Sequence, residues 1–538
     1  MSTATRAPRA ALNPAGPLTG TGTLARLLLR RDRFMLAVWL LLSWGVAAGR
    51  AGSRGTLYPT AEARQQRYDQ VMVEIPMFKL FQGPAYGTDI DALIAQESFG
   101  AATLFAALGA VILVVRHTRT DEQAGRRELL GSTGVGRHAS LAAALVVVFV
   151  AGALLAVLTS ATMIAAGMPA VGSMVFGLVT GSAVWISAAI AAVAAQLTAN
   201  PRAAMVGAYA LFFALHFVRG ASDLGGPGLT WLGWLVPNGW LQRTQPFAGD
   251  RWWPFLLVAA LLVTLVCAAV SLAGRRDLGS GLLATRPGPS TGPRGLGGPF
   301  GLAWRLHRGM ALGWIVGTAA ICLPTALTGT AAMEQYAAGE QMAEWAAAMG
   351  STNPGDALFA YIAFATVFPI TLYAIQIVLR MHTDESSGHA TLLLAGPVSR
   401  LRWAAGHLAL ALAVPAVLLV VVGLCFGVGA GDYATMLATT TRLVPAVWVM
   451  VGIAMAAHGL TGRLAPFVGY GALALALTVE FGQHLGWPDW IFWTFSPFAH
   501  VLPFFGPPGA GTLLVLTAMA AALVGAGLAG LRHRDLLA

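Results

Sequence analysis

The stretch Arg116-His117-Thr118-Arg119-Thr120-Asp121-Glu122-Gln123-Ala124-Gly125-Arg126-Arg127-Glu128-Leu129-Leu130-Gly131-Ser132-Thr133-Gly134-Val135-Gly136-Arg137 returns later in the chain. Its second copy reads Arg380-Met381-His382-Thr383-Asp384-Glu385-Ser386-Ser387-Gly388-His389-Ala390-Thr391-Leu392-Leu393-Leu394-Ala395-Gly396-Pro397-Val398-Ser399-Arg400. The shared Thr-Asp-Glu, Gly, Leu-Leu, Val and Arg positions all fall at one offset, 263 residues. Weaker echoes flank them. Arg33 and Trp39 match Arg308 and Trp314, Leu197-Thr198 match Leu460-Thr461, and Arg276-Asp277-Leu278 match Arg534-Asp535-Leu536. Pro237 matches Pro497, each with tryptophans ahead of it: Trp231 and Trp234, then Trp490 and Trp493. The chain is therefore one half written twice.

Each copy of the loop follows an apolar run, and such runs fill the chain. Of 538 residues, 57% are hydrophobic and 10% charged, against about 25% charged in an average soluble domain. Mean hydropathy is +0.68. A helix needs roughly 20 apolar residues to cross the bilayer core. Twelve runs approach that length: 34–53, 98–115, 139–166, 173–196, 203–219, 254–273, 308–328, 357–379, 403–428, 443–457, 464–483 and 510–531. The expected fold is an all-α polytopic membrane protein of about 12 transmembrane helices in two six-helix repeats. An even number of spans per half makes the repeats parallel. The halves are 1–278 and 302–538, joined by a Gly/Pro-rich linker over 279–301. A soluble enzyme, a disulfide scaffold and a disordered chain are excluded.

The charges orient these spans. With both termini in the cytoplasm, 24 of the 33 basic residues lie inside, while 15 of the 23 acidic ones lie outside. That asymmetry is the positive-inside rule, so the net charge of +10 reports membrane orientation and calls for no nucleic-acid partner. The first apolar run follows Arg26, Arg30, Arg31 and Arg33 and reads as an uncleaved span. All basic residues but Lys79 are arginine. A P-loop needs a lysine in G-x-x-x-x-G-K-[ST] to reach nucleotide phosphates; Lys79 sits in Met77-Phe78-Lys79-Leu80, so the chain has no Walker ATPase of its own. Cys267, Cys322 and Cys425 stand apart in apolar runs and read as small buried hydrophobes. No metal or catalytic constellation emerges.

The repeated loop is the most specific feature. Thr120, with Asp121 and Glu122 in the first turn and Gln123 at capping-box spacing, reads as the start of a short capped helix, carrying Leu129 and Leu130 as an apolar patch. Thr383-Asp384-Glu385 repeats the start without the Gln. Such an element reads as a docking surface for a soluble partner.

With these residues in view, the chain resembles the permease subunit of an ABC-2-type exporter, in the fused 6+6 form similar to exporters of polyketide antibiotics. The resemblance spans essentially the whole chain. It rests on the Arg-rich segment before each half, the T-D-E-x-x-G-x-x-x-L-L loop ending in Arg137 or Arg400, and the Pro/Trp segment before each last span. It implies that two copies of a separate ATPase subunit, binding ATP and Mg, dock at Thr120, Asp121, Glu122, Gly125, Arg126, Glu128, Leu129, Leu130 and Arg137, and at Thr383, Asp384, Glu385, Gly388, Leu392, Leu393 and Arg400. The second site departs from the pattern, with His389 in place of Arg126 and Thr391 in place of Glu128, so a weaker second dock is expected. Connecting helices would lie on the membrane surface over 23–33, with Arg26, Arg30 and Arg33, and over 303–308, with Arg305 and Arg308. Trp234, Pro237, Trp240, Trp493 and Pro497 would belong to re-entrant segments closing an outer gate. The implied activity is export of a hydrophobic or amphipathic compound across the bacterial plasma membrane, powered in trans, with no cofactor in this chain.

Few polar residues interrupt the spans. Gln196, Gln376, His216 and Glu480 are the candidates for a substrate path. The competing class is a proton-coupled secondary multidrug transporter, which shares the 6+6 parallel plan. By family pattern it would carry G-x-x-x-D-R-x-G-R-R after the second span, and the loop here is longer and different.

Overall fold

The computed structural model describes residues 16–55, 57–74, 76–131, 134–283, 298–336, 354–484, 488–501 and 508–535. Arg6 and Arg9, most of the expected linker, Glu340, Glu344 and Trp487 lie outside them. The chain falls into two compact units, Met1–Gly288 and Pro289–Ala538, and the described elements of both are helical.

In the first unit the long helices are α1 (Thr21–Gly52), α4 (Ile90–Val115), α7 (Ala139–Ala165), α8 (Ala170–Leu197), α9 (Pro201–Leu224) and α11 (Pro254–Gly274). Short helices lie between them: α2 (Ala61–Asp69), α3 (Pro76–Gln82), α5 (Asp121–Gln123), α6 (Arg126–Gly131) and α10 (Pro237–Gln242). The second unit holds α12 (Pro299–Tyr336), α13 (Pro354–Ser386), α14 (His389–Leu394), α15 (Arg400–Ala430), α16 (Tyr433–Thr441), α17 (Val444–Thr461), α18 (Ala465–His484), α19 (Asp489–Phe495) and α20 (Ala510–His533).

Eleven helical stretches among the described residues are long and apolar enough to cross a membrane. The twelve spans read from the sequence fall into them, two sharing the 48-residue stretch Tyr433–Glu480. Gly462, with φ +57°, ends α17 inside that stretch, and a 3-10 turn leads into α18. The spans are also longer than expected. The second runs as continuous helix to Gln123 and the eighth to Ser386, because the helices carry on into the charged loops.

The same pairs of helices pack in each unit. α1 lies on α7, α4 on α8 and α8 on α11; correspondingly α12 lies on α15, α13 on α17 and α17 on α20. Two tryptophans make the repeat visible at atomic level. Trp185 Nε1 donates to the Phe149 carbonyl at 2.9 Å, and Trp448, 263 residues on, donates to the Leu412 carbonyl at 3.0 Å. A buried indole N–H needs such a partner, and both copies find it on the adjacent span. The units differ where the sequences differ. α8 is one helix, while its counterpart is split into α16 and α17 just before Pro445, whose ring lacks the N–H a continuing helix needs. Exposed Phe34, Val38, Leu41, Val146, Val150, Leu154 and Val157 form apolar surface of the kind that faces lipid.

Candidate functional site

The first repeated loop begins with a helix that does not stop. α4 passes through a π-turn over Arg116–Thr120 directly into α5. Thr120 has helical backbone angles and its side chain caps nothing, which corrects the expected N-cap. In the second unit Thr383 lies inside α13, its hydroxyl turned back to the Leu379 carbonyl at 3.3 Å. The Thr-Asp-Glu triplets therefore close the long helices instead of opening short ones. Glycine does the closing. Gly125 (φ +70°) and Gly388 (φ +76°) are left-handed, and each donates its N–H to the carbonyl of the motif glutamate at 3.0 Å, as helix-ending glycines do. The short helices α6 and α14 follow.

Carboxylates at a helix C-terminus oppose its dipole, so these need cations. Glu122, 4% exposed at its side chain, lies 2.7 Å from Arg276, 3.1 Å from Arg127 and 3.4 Å from Arg119, and it accepts the Gly279 N–H at 2.6 Å. Arg276 spans both of its oxygens. Asp121 takes Arg31 at 2.9 Å and Arg126 at 2.7 Å. One layer away, buried Asp32 takes Arg116 at 3.0 Å and His117 at 2.7 Å. The backbone of α1 leaves helical angles at Asp32, dividing an Arg-rich segment from the span.

The second unit repeats the central pair, with fewer members among the described residues. Glu385 has a fully buried side chain and meets Arg534 at 2.8 Å and His458 at 3.4 Å. Asp384 pairs with Arg380 at 2.9 Å. Arg276 and Arg534 occupy the same place in the repeated Arg-Asp-Leu, so each motif glutamate is joined to the end of the last span of its own half. The motif arginines act on the same end: Arg137 donates to the Gly274 carbonyl at 2.5 Å and Arg400 to the Arg534 carbonyl at 2.6 Å, satisfying carbonyls that a helix terminus leaves free.

Asp121, Glu122, Asp384 and Glu385 are thus internal. What faces outward is Gln123, Arg126, Glu128 and Arg137 in the first unit, and Thr383, His389, Thr391 and Leu392 in the second. Leu392 is 77% exposed, and Leu393 is half-buried. The side chains of Leu129 and Leu130 lie outside the described residues.

The remaining candidates disperse. Arg26, Arg30, Arg33, Arg305 and Arg308 are exposed on α1 and α12, and Arg33 stands over the Phe34 ring at 4.8 Å. Gln196, expected on a substrate path, instead accepts from Arg276 Nε at 2.8 Å and belongs to the Glu122 cluster. His216 stacks on Phe212 and lies 3.4 Å from Arg219. Gln376 is half-buried on α13, and Glu480 accepts from the Ser496 hydroxyl at 2.6 Å. Trp240 Nε1 donates to the Trp234 carbonyl at 2.6 Å, next to buried Pro237. Trp493 lies 5.5 Å from His500, and Pro497 is half-buried. Among the described residues no group of three or more His, Cys, Asp or Glu could hold a metal ion.

A second polar cluster stands at the opposite end of the first unit, and sequence reading passed over it. Glu97 meets Arg67 at 2.9 Å, Arg50 at 3.0 Å and the Tyr58 hydroxyl at 2.6 Å. Burial and the Glu97 hydrogen bond push the Tyr58 phenol above its usual range, so it stays a donor. Arg54 pairs with Asp91 at 2.6 Å and fully buried Arg219 with Asp223 at 3.0 Å. Lys79 is on α3, where its carbonyl accepts from Arg219 at 3.4 Å.

Over 96% of its length the chain is 36% identical to 95% of a "Multidrug efflux system permease protein Rv1217c" from Mycobacterium tuberculosis (strain ATCC 25618 / H37Rv). The chain belongs to the Rv1217c family of ABC-2-type permeases. A family model described as "Multidrug efflux system permease Rv1217c, C-terminal domain" matches residues 296–532, which include Glu385 and His458. As a member of the Rv1217c family the chain is a multi-pass protein of the bacterial plasma membrane, a transport subunit of an efflux system and not itself its ATPase.

Proposed function

We propose that this permease moves hydrophobic or amphipathic, drug-like compounds out of the cell, driven by two copies of a separate ATPase that bind ATP and Mg and dock beneath the two repeated loops. The multidrug cargo of the Mycobacterium relative supports the substrate class. The observation that carries the coupling role is the pairing of Glu122 with Arg276 and of Glu385 with Arg534. A force applied to either short helix is passed through a buried ion pair to the last span of that half, as well as along the continuous helix to the second. Buried, multiply bonded pairs are stiff enough for this task. The ATPases would meet the exposed faces of α6 and α14, with the acids holding the lever rather than forming the contact. The two docks differ in composition, His389 and Thr391 standing where the first has Arg126 and Glu128.

The test is reconstitution of the full chain in proteoliposomes with and without the cognate ATPase, following efflux of a fluorescent amphiphile. ATP-dependent transport that vanishes without the ATPase is the expected result. Transport that survives its omission and collapses with the proton gradient would overturn the reading.

A further inference from the structure

The end of the first unit remote from Glu122, which the arginine count assigns to the outer face, holds a cavity of about 310 Å³. Its walls include Tyr86, Asp223, Trp234, Arg243, Gln245 and Arg251. We infer that this cavity is an anion-binding site for the acidic head of an amphiphile, a phosphate or carboxylate group held by Arg243 and Arg251 with the adjoining apolar chain against the edge of Trp234.

Charge accounting comes first. Asp223 is already neutralised by Arg219, and the same carboxylate oxygen accepts from Gln242 at 3.2 Å. Arg243 and Arg251 make no ion pair within 4 Å among the described residues, and with Asp250 counted beside Arg251 the three arginines here still exceed the two aspartates by one. Acidic residues outnumber basic ones on this side of the membrane, so a cationic cavity here runs against the local balance.

Donor capacity comes second. Arg243 donates to the Gly239 carbonyl at 3.1 Å and the Thr230 carbonyl at 2.9 Å. A guanidinium has five N–H donors, so several stay open while these two bonds hold the group in place. It lies 4.7 Å above the Trp234 ring, which fixes its plane further. The Arg251 side chain is exposed and makes no hydrogen bond or ion pair among the described residues, while its backbone N–H is tied to the Thr244 carbonyl at 2.7 Å. One pinned and one open guanidinium suit forked recognition of an oxyanion.

The third observation is the loop that carries them. Gln245 (φ +49°), Phe247 (φ +63°) and Asp250 (φ +46°) are all left-handed without being glycine. The Asp250 carboxylate accepts the Phe247 N–H at 2.8 Å, and Gln245 lines the cavity. Such strain persists where the surroundings over-determine it, and it clusters at ligand clamps. Finally, Trp234 stacks on Trp253 at 5.3 Å, and Trp231, Trp234, Trp252 and Trp253 are all substantially exposed. Exposed tryptophans mark the headgroup depth of a bilayer, where an acidic lipid or an amphiphile leaving the membrane presents its head.

The test uses the full chain purified in an uncharged detergent. Isothermal titration with dihexanoyl-phosphatidylglycerol, dihexanoyl-phosphatidylcholine and inorganic phosphate is run on the wild type and on Arg251→Glu. That variant removes no contact within the described residues, and its unfolding temperature serves as the folding control. Saturable phosphatidylglycerol binding that weakens at least tenfold in Arg251→Glu, with no phosphatidylcholine binding, is the expected result and assigns a lipid head. Inorganic phosphate binding with the same sensitivity also supports the site and assigns a free anion. Equal binding of the two lipids, or phosphatidylglycerol binding indifferent to Arg251→Glu, overturns it.

Discussion

Glu122 and Arg276, 154 positions apart, meet through two hydrogen bonds of 2.7 and 2.9 Å with both side chains buried. The bond fastens the end of the second span to the end of the sixth. Its counterpart, Glu385 with Arg534, spans 149 positions at 2.9 and 2.8 Å. A loop motif that repeats at one offset and an Arg-Asp-Leu that repeats at another are thus two sides of one contact.

The two partners of the first latch are unequal. Removing Glu122 leaves Arg119, Arg127 and Arg276 crowded together with their shared carboxylate gone. Removing Arg276 leaves Glu122 with two arginines and the Gly279 N–H. Breaking a buried pair from the side that strands charge costs about 3–5 kcal/mol. Glu122→Gln is therefore expected to lower stability more than Arg276→Ala, by thermal unfolding of the detergent-solubilised chain. Glu122→Arg, which adds a fourth guanidinium, is expected to be worse than either and to abolish coupled ATP hydrolysis in the reconstituted system.

In the second latch the order reverses. Among the described residues Glu385 has two ion-pair partners, and one of them is histidine. Arg534→Ala leaves a fully buried carboxylate facing His458, so it is expected to cost more than Arg276→Ala, on the order of 3 kcal/mol or above. Sequence alone suggests that the second copy, poorer in motif residues, matters less. Its burial argues the opposite for stability. Equal unfolding temperatures for Arg534→Ala and Arg276→Ala would contradict the asymmetry.

What the sequence made legible was whatever depends on composition and period. Apolar runs gave the spans, and the offset of 263 residues gave the repeated helix packing. What it misread was local. Thr120-x-x-Gln123 has capping spacing, but a helix entering from Val115 already satisfies those N–H groups, so Thr120 caps nothing. Asp121 and Glu122 read as the first turn of an outward-facing docking helix, whereas their partners Arg31 and Arg276 come from remote segments that no local pattern announces. Gln196 read as a polar residue within a span, while its partner at the end of the sixth span set its role. The cluster around Glu97 was hidden for the same reason: Arg50, Arg67 and Tyr58 lie on separate elements.

The crossing of α17 with α20 supplies a packing test. A Cβ on Gly459 would lie 1.8 Å from the Gly527 carbonyl oxygen, and one on Gly527 would lie 2.4 Å from that of Met455. Both obstacles are backbone, so the helices would have to separate. In membranes, where close approach of small residues supplies the packing between helices, that loss has little compensation. Gly459→Ala is expected to destabilise by more than the ~1–3 kcal/mol of ordinary overpacking. Gly471→Ala, on neighbouring α18 with nothing near its Cβ direction, is the control and should leave the unfolding temperature unchanged.

The last test separates docking from the lever. Leu392 is 77% exposed on α14, while Glu385, seven residues earlier, is fully buried. An exposed leucine contributes little to folding, so Leu392→Asp is expected to leave thermal unfolding within about 0.5 kcal/mol of wild type. A large apolar side chain at the centre of an interface is a different matter, and a desolvated charge there costs on the order of 2 kcal/mol or more in binding. Co-purification with the ATPase should therefore fall at least tenfold in Leu392→Asp. Glu385→Gln should do the reverse, lowering the unfolding temperature while chains that remain folded still retain ATPase. If Leu392→Asp retains the ATPase fully and Glu385→Gln loses it without unfolding, then the buried acids are themselves reached by the partner, and α14 is not the docking face.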